Sequence, residues 1–218
     1  RDTLISVDAS LAERTEVLPL PHDETIFYRE ANIPREPDLI VCTTRFTAQK
    51  RVDYLVRAFA AVRNVVENAR LILVGSGPLQ DQIERLIGSF DLHSAVELLP
   101  PQPQSELRRL YNRAAIVALN SLQEGFGLTL SEGMLCGAAP IGTQSGGLVD
   151  IIKHERTGLL VEPDDVDSLA AGLTRLLKDD ALRERLAEAG HKYAMETFTS
   201  GPLAGRYAEI LRTAVQKH

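Results

Sequence analysis

Six short apolar runs recur along the chain, each followed by residues with helical spacing. No other feature constrains the fold as much. The runs cover residues 39–43, 71–74, 96–99, 116–119, 139–142 and 158–161. After the first run, Val52, Leu55, Val56, Phe59, Val62 and Val66 form a stripe with helical period over residues 52–66. After the second, Leu79, Ile83, Leu86 and Ile87 do the same. Strands that are apolar without alternation are buried on both faces, as in parallel sheets covered by helices. The expected fold is therefore α/β, a doubly wound parallel six-stranded sheet with helices on both faces. Ligands of such sheets bind at the carboxyl ends of the strands. The chain then ends in a helical tail. Asp164 or Asp165 can cap one helix and Asp179 or Asp180 a second, and Gly201-Pro202 opens a third.

The fourth run leads into Glu124-Gly125-Phe126-Gly127-Leu128-Thr129-Leu130-Ser131-Glu132. The order is strand, glycine-rich turn, helix. It aims free backbone N–H groups and the positive helix end at one point, which suits a phosphate. With a helix starting near Gly127, Glu132 sits about 7 Å along it, and one carboxylate flanks each side of the anion position. Carboxylates are poor phosphate ligands and good acceptors for hydroxyls. The guest that fits carries a diphosphate in its middle and a hydroxyl-rich ring at each end, as a nucleotide sugar does. A plain glycine turn before a helix with a solvated glutamate is the competing reading, and spacing alone leaves both open.

Arg45 and Lys50 follow the first run. Arginine grips a phosphate with two parallel donors, and lysine adds a mobile point charge. Two surface cations is the plain alternative. Gly75-Ser76-Gly77-Pro78 follows the second run, but Gln80 stands where a dinucleotide fingerprint needs its third glycine. The chain has no Gly-Lys-Ser/Thr either, so a P-loop is excluded.

The net charge of −6 and the lack of a basic cluster argue against nucleic acid. No apolar run approaches the roughly 18 residues of a membrane span. Cys42 and Cys136 both sit in apolar contexts and read as buried free thiols. A cytoplasmic location is the default expectation. His22, His93, His154, His191 and His218 show no metal-ligand spacing and read as surface or packing residues. No metal and no cofactor is expected; the nucleotide-diphosphate sugar is a substrate.

Glu124 through Glu132 resembles the Glu-x7-Glu motif of the family-four retaining GT-B glycosyltransferases. The continuation from Gly133-Met134-Leu135-Cys136-Gly137 to Gly146-Gly147-Leu148 is also similar to that family. So is the spacing of Arg45 and Lys50, although Thr44 and Arg51 replace the usual flanking glycines. The resemblance covers nearly the whole chain. It implies the Rossmann-like, donor-binding C-terminal half of a GT-B fold. It also implies roles: Arg45 and Lys50 hold the donor diphosphate and neutralise the leaving group. Glu124 meets hydroxyls of the transferred sugar, and Glu132 accepts from the ribose. Backbone N–H groups of Phe126, Gly127, Leu128 and Thr129 hold sugar and phosphate oxygens. Phe126 itself is read equally as packing or as a sugar platform. Gly75 and Gly77 border the donor cleft, as contacts or as a plain turn, and the loop with Pro101 lines the base.

The expected division is a linker or remnant of a preceding domain over residues 1–28, the nucleotide-sugar domain over 29–200 and a crossing helix over 201–218. The partner implied is an acceptor-binding N-terminal domain missing from these residues, and through it contact with a membrane surface stays open. The reaction implied is transfer of a hexose to an acceptor hydroxyl. A binding module without turnover and a GT-B sugar-nucleotide epimerase are the rival readings.

Overall fold

The structure is a computed structural model that describes residue 8 and residues 15–216. Of the linker or remnant expected over residues 1–28, residues 1–7 and 9–14 lie outside the described residues. Six strands form one parallel sheet: β1 (Glu36–Thr43), β2 (Arg70–Val74), β3 (Val96–Leu99), β4 (Ala114–Leu119), β5 (Ala139–Thr143) and β6 (Leu159–Val161). Their spatial order is β3-β2-β1-β4-β5-β6. The chain thus winds outward one way from β1, returns, and winds the other way from β4. Between β1 and β4 the connections leave toward opposite sides, which opens a crevice at their carboxyl ends.

The helices are α1 (Val52–Arg63), α2 (Gln80–Ser89), α3 (Gln104–Arg113), α4 (Leu128–Leu135), α5 (Leu148–Ile151), α6 (Val166–Lys178), α7 (Asp180–Phe198) and α8 (Ser200–Gln216). Alternate strand residues feed two cores, because successive side chains of a strand point to opposite faces. Ile40 and Cys42 join α1, α2 and α6 through Leu55, Phe59, Ile83 and Leu173. Leu39 and Val41 join Tyr111, Leu130, Met134, Ala194 and Phe198 on the other face. Both faces of β1 and β4 are therefore dry, which accounts for their unbroken apolar runs. Both cysteines are free and buried.

Local signals hold at the caps. The Asp165 carboxylate accepts from Ser168 N at 2.8 Å to start α6, and Asp179 accepts from Leu182 N at 2.9 Å to start α7. The α1 helix ends at Arg63, before the last residue of the stripe, and Val66 packs against the first core from just beyond it. Phe27 is only 3% exposed and packs into the second core with Tyr111, so the end of the 1–28 segment is part of this hydrophobic body.

Candidate functional site

The loop after β1 and the loop after β4 meet over the crevice. Residues Ala48–Lys50 form a single 3-10 turn, and Arg51 follows in the left-handed region at φ 47°. That turn points Lys50 across to the other loop. Its Nζ lies 2.5 Å from Oε2 of Glu124, with the two side chains 19% and 14% exposed. Other bonds stitch the loops together. Gln49 Nε2 donates to the Gln123 carbonyl at 2.5 Å, Leu122 N to the Gln49 carbonyl at 2.9 Å, and Asn120 Nδ2 to the Arg51 carbonyl at 2.6 Å. Glu124 is held from further sides. Ser121 Oγ donates to its Oε2 at 3.2 Å, Gly125 N to its Oε1 at 3.2 Å, and Gly147 N to its backbone carbonyl at 2.8 Å.

Arg45 is exposed, and its side chain has no hydrogen-bond or ion-pair partner among the described residues. Its loop is braced by the turn after β2: Phe46 N donates to Ser76 O at 2.9 Å, and Leu79 N to Phe46 O at 3.1 Å. Gly75 explains why that turn is glycine. It sits at φ 149°, and a Cβ there would stand 1.9 Å from the Thr44 carbonyl oxygen. Gly75 and Gly77 thus let two loops touch backbone to backbone. Pro101 lies just past β3, an edge strand separated from β1 by β2.

Gly127 begins α4 in the left-handed region at φ 89°. The first-turn amides of a helix have no intrahelical carbonyl to donate to, so those of Leu128 and Thr129 face the helix's amino end. Leu128 is 43% exposed there. The Thr129 hydroxyl donates to the Thr43 carbonyl at 2.7 Å, tying α4 to the end of β1. Phe126 is half-buried against two other rings. Its ring meets Phe198 edge-on at 5.6 Å and His22 at 6.5 Å.

Glu132 does not join Lys50 and Glu124 in the ion pair. Its Oε2 accepts from the Tyr111 hydroxyl at 3.3 Å. Burial pushes its carboxyl up to about 7, against the lowering effect of that hydrogen bond. Burial, and then the Glu132 charge, raise the Tyr111 phenol well above its usual range. The residue before Glu132, Ser131, gives its proton to the Leu128 carbonyl at 3.0 Å. His22 Nε2, 2.6 Å from Ser131 Oγ, therefore carries the hydrogen and donates it. Burial holds His22 at about 4, so it is neutral near pH 7.

Tyr111, Ser121 and Gln49 are members that sequence reading passes over, and His22 it reads only as a surface or packing residue. None has a local signal. Their partners lie 21, 3, 74 and 109 residues away, and only Ser121 is near its partner in sequence. A cavity of about 370 Å³ opens at the other end of the sheet beside Arg29, Arg35 and Arg183. Its guanidiniums are engaged by the Ala114, Cys136 and Leu176 carbonyls and by Glu188 and Asp180, so no free cation marks it as a rival. Among the described residues no group of His, Cys, Asp and Glu could hold a metal, and no helix is long and apolar enough to cross a membrane.

Residues 23–193 match the family model described as glycosyl transferases group 1. The chain is 30% identical to N-acetyl-alpha-D-glucosaminyl L-malate synthase of Bacillus anthracis, over 96% of this chain and 59% of that one. HepE of Anabaena, solved in complex with UDP and glucose, superposes with a TM-score of 0.81 over 93% of this chain and 58% of that one, at 21% identity. The C-terminal domain of LpcC, a glycosyl transferase group 1 family protein of Francisella tularensis, superposes at 0.74 over 82% of this chain and 99% of that one, at 22% identity. The chain spans about half the length of the relatives it matches.

Proposed function

The chain belongs to the group 1 glycosyl transferases, and from that premise we propose that it is the donor-binding domain of a retaining enzyme. The enzyme transfers a hexose from a nucleotide-diphosphate sugar to an acceptor hydroxyl. The observation that carries this reading is the 2.5 Å approach of Lys50 to Glu124 across the crevice between β1 and β4. A cation for the diphosphate and an acceptor for the sugar stand side by side where such a sheet binds ligands.

In this reading Arg45 and Lys50 hold the diphosphate, with the amides of Phe126 to Thr129 aimed at sugar and phosphate oxygens. Glu124 accepts from hydroxyls of the sugar, and Glu132 from the ribose. Gly75, Gly77 and Pro101 border the base and diphosphate. As the bond from the anomeric carbon to the phosphate oxygen breaks, negative charge grows on the diphosphate. Fixed cations and helix amides stabilise that charge without reorganising. The acceptor oxygen bonds to the anomeric carbon from the leaving-group side, and its proton passes to the departing phosphate. Configuration is kept, no side chain of this domain acts as nucleophile, and no metal is needed.

A second reading is a nucleotide-sugar-binding module without turnover by itself. The two are separated by assaying sugar release from UDP, GDP and ADP sugars. The assay uses this chain alone and joined to an acceptor-binding half, with a panel of acceptors. Transfer with retained anomeric configuration supports the enzyme. Inversion, or epimerised donor as the sole product, contradicts it.

A further inference from the structure

Glu124 has a carboxylate that is already held by three donors and keeps capacity for one more. Lys50 Nζ, Ser121 Oγ and Gly125 N all donate to its carboxylate, and Gly147 N holds its backbone. The bonds of Gln49 to Gln123 and Leu122 keep the lysine's loop and the glutamate's loop together. That stitching fixes the two backbones side by side, and Ser121 and Gly125 hold the carboxylate in place even when the lysine side chain turns. A diphosphate drawn to Lys50 therefore arrives beside a fixed, mostly buried carboxylate. An ammonium has three donors and can bridge both anions, but the anions still repel across the short gap. A further group that donates hydrogen bonds to Glu124 offsets that remaining repulsion. A donor that still carries its sugar brings hydroxyls to that position. The nucleoside diphosphate left after transfer brings none.

We propose that Glu124, through its contact with Lys50, is a specificity-determining residue that disfavours the bare nucleoside diphosphate against its sugar ester. The site thereby holds substrate and sheds product. This rests on the donor-binding reading of the crevice. The charge carries the effect, so Glu124→Gln removes the repulsion while keeping the shape and a hydrogen-bonding side chain. With solvent screening and a bridging lysine, one unit of charge at this range is worth about tenfold in affinity.

The test is calorimetry on this chain, wild type and Glu124→Gln, with UDP, GDP and ADP and their glucose and N-acetylglucosamine esters. For the nucleotide that binds, Glu124→Gln is expected to tighten the bare diphosphate about tenfold and to leave the sugar ester no tighter. Glu124→Ala, checked for an unchanged melting temperature, is expected to give the same sign. An unchanged or weakened bare diphosphate, or equal tightening of both ligands, overturns the proposal. Failure of every nucleoside diphosphate to bind the wild-type chain overturns the donor-binding reading beneath it, a result distinct from binding without tightening.

Discussion

The phenolic oxygen of Tyr111 lies 3.3 Å from Oε2 of Glu132, and Tyr111 is wholly buried. A carboxylate in that position has lost most of its water and gained one neutral donor. Desolvation outweighs the donor, and the carboxyl titrates at about 7 instead of 4.5. The family motif thus ends on an acid that is half-ionised near neutral pH.

Stability follows with a definite sign. The folded state holds the Glu132 proton between pH 4.5 and about 7, where the unfolded chain has released it. Stability from this group is therefore complete below 4.5 and lost as pH rises through about 7. Glu132→Gln is expected to be more stable than wild type by about 1–3 kcal/mol near pH 8, with no gain near pH 4. Urea unfolding at the two pH values checks this. Equal effects at both would place the acid in an ordinary solvated environment.

Ligand binding should carry the same signature. In the role proposed for it, an ionised Glu132 accepts from ribose hydroxyls better than a protonated one. The preference for a ribonucleoside diphosphate over its 2′-deoxy counterpart is expected to grow from about pH 6 to about pH 8 and to be flat in Glu132→Gln. Tyr111→Phe removes the donor that lowers Glu132, so the midpoint of that growth moves up. Calorimetry across this range reads it. A midpoint that Tyr111→Phe leaves in place would detach the phenol from the carboxylate.

Gly75→Ala tests how the two loops are joined. The added Cβ meets the Thr44 carbonyl oxygen at 1.9 Å, backbone against backbone, with no flexible side chain to yield. A loss of about 2–4 kcal/mol is expected by urea unfolding, together with weaker diphosphate binding as the Arg45 loop is displaced. A neutral result would mean that the two loops do not touch in solution.

Arg35 supplies the opposite control. Its guanidinium donates to the Ala114 carbonyl and, at 2.9 Å, to the Cys136 carbonyl, at the ends of α3 and α4. Burial and the nearby Arg29 lower it to about 10, so it stays charged at neutral pH. Arg35→Ala is expected to cost about 2–3 kcal/mol by leaving those carbonyls unpaired. Because Arg35 lies at the amino end of the sheet, nucleoside diphosphate affinity should stay within about twofold of wild type. A large loss of affinity in a folded variant would contradict the placement of the site.

The sheet was legible because each strand announces itself locally. Leu39, Ile40 and Val41 are all buried, and that double-sided burial is written as an unbroken apolar run. The glycine turn before α4 was legible for the same reason. What could not be read is adjacency. Lys50 and Glu124 lie 74 residues apart, and only the placing of β4 beside β1 makes them neighbours. Gly75 was readable as a turn, but its close approach to Thr44 was not, since that depends on the β1–β2 register. Phe126 could have been packing or platform. Its contact with Phe198, 72 residues on, is carried by no local pattern.

The account stands or falls on whether the cation beside Glu124 grips a diphosphate. Calorimetry of wild type and Lys50→Ala, with one nucleoside diphosphate and its parent nucleoside, measures this. The account predicts that Lys50→Ala weakens the diphosphate by about 30-fold or more, as loss of a charge-assisted contact should, and changes the nucleoside by less than about twofold. Equal losses for both ligands, or no loss for either, would contradict it.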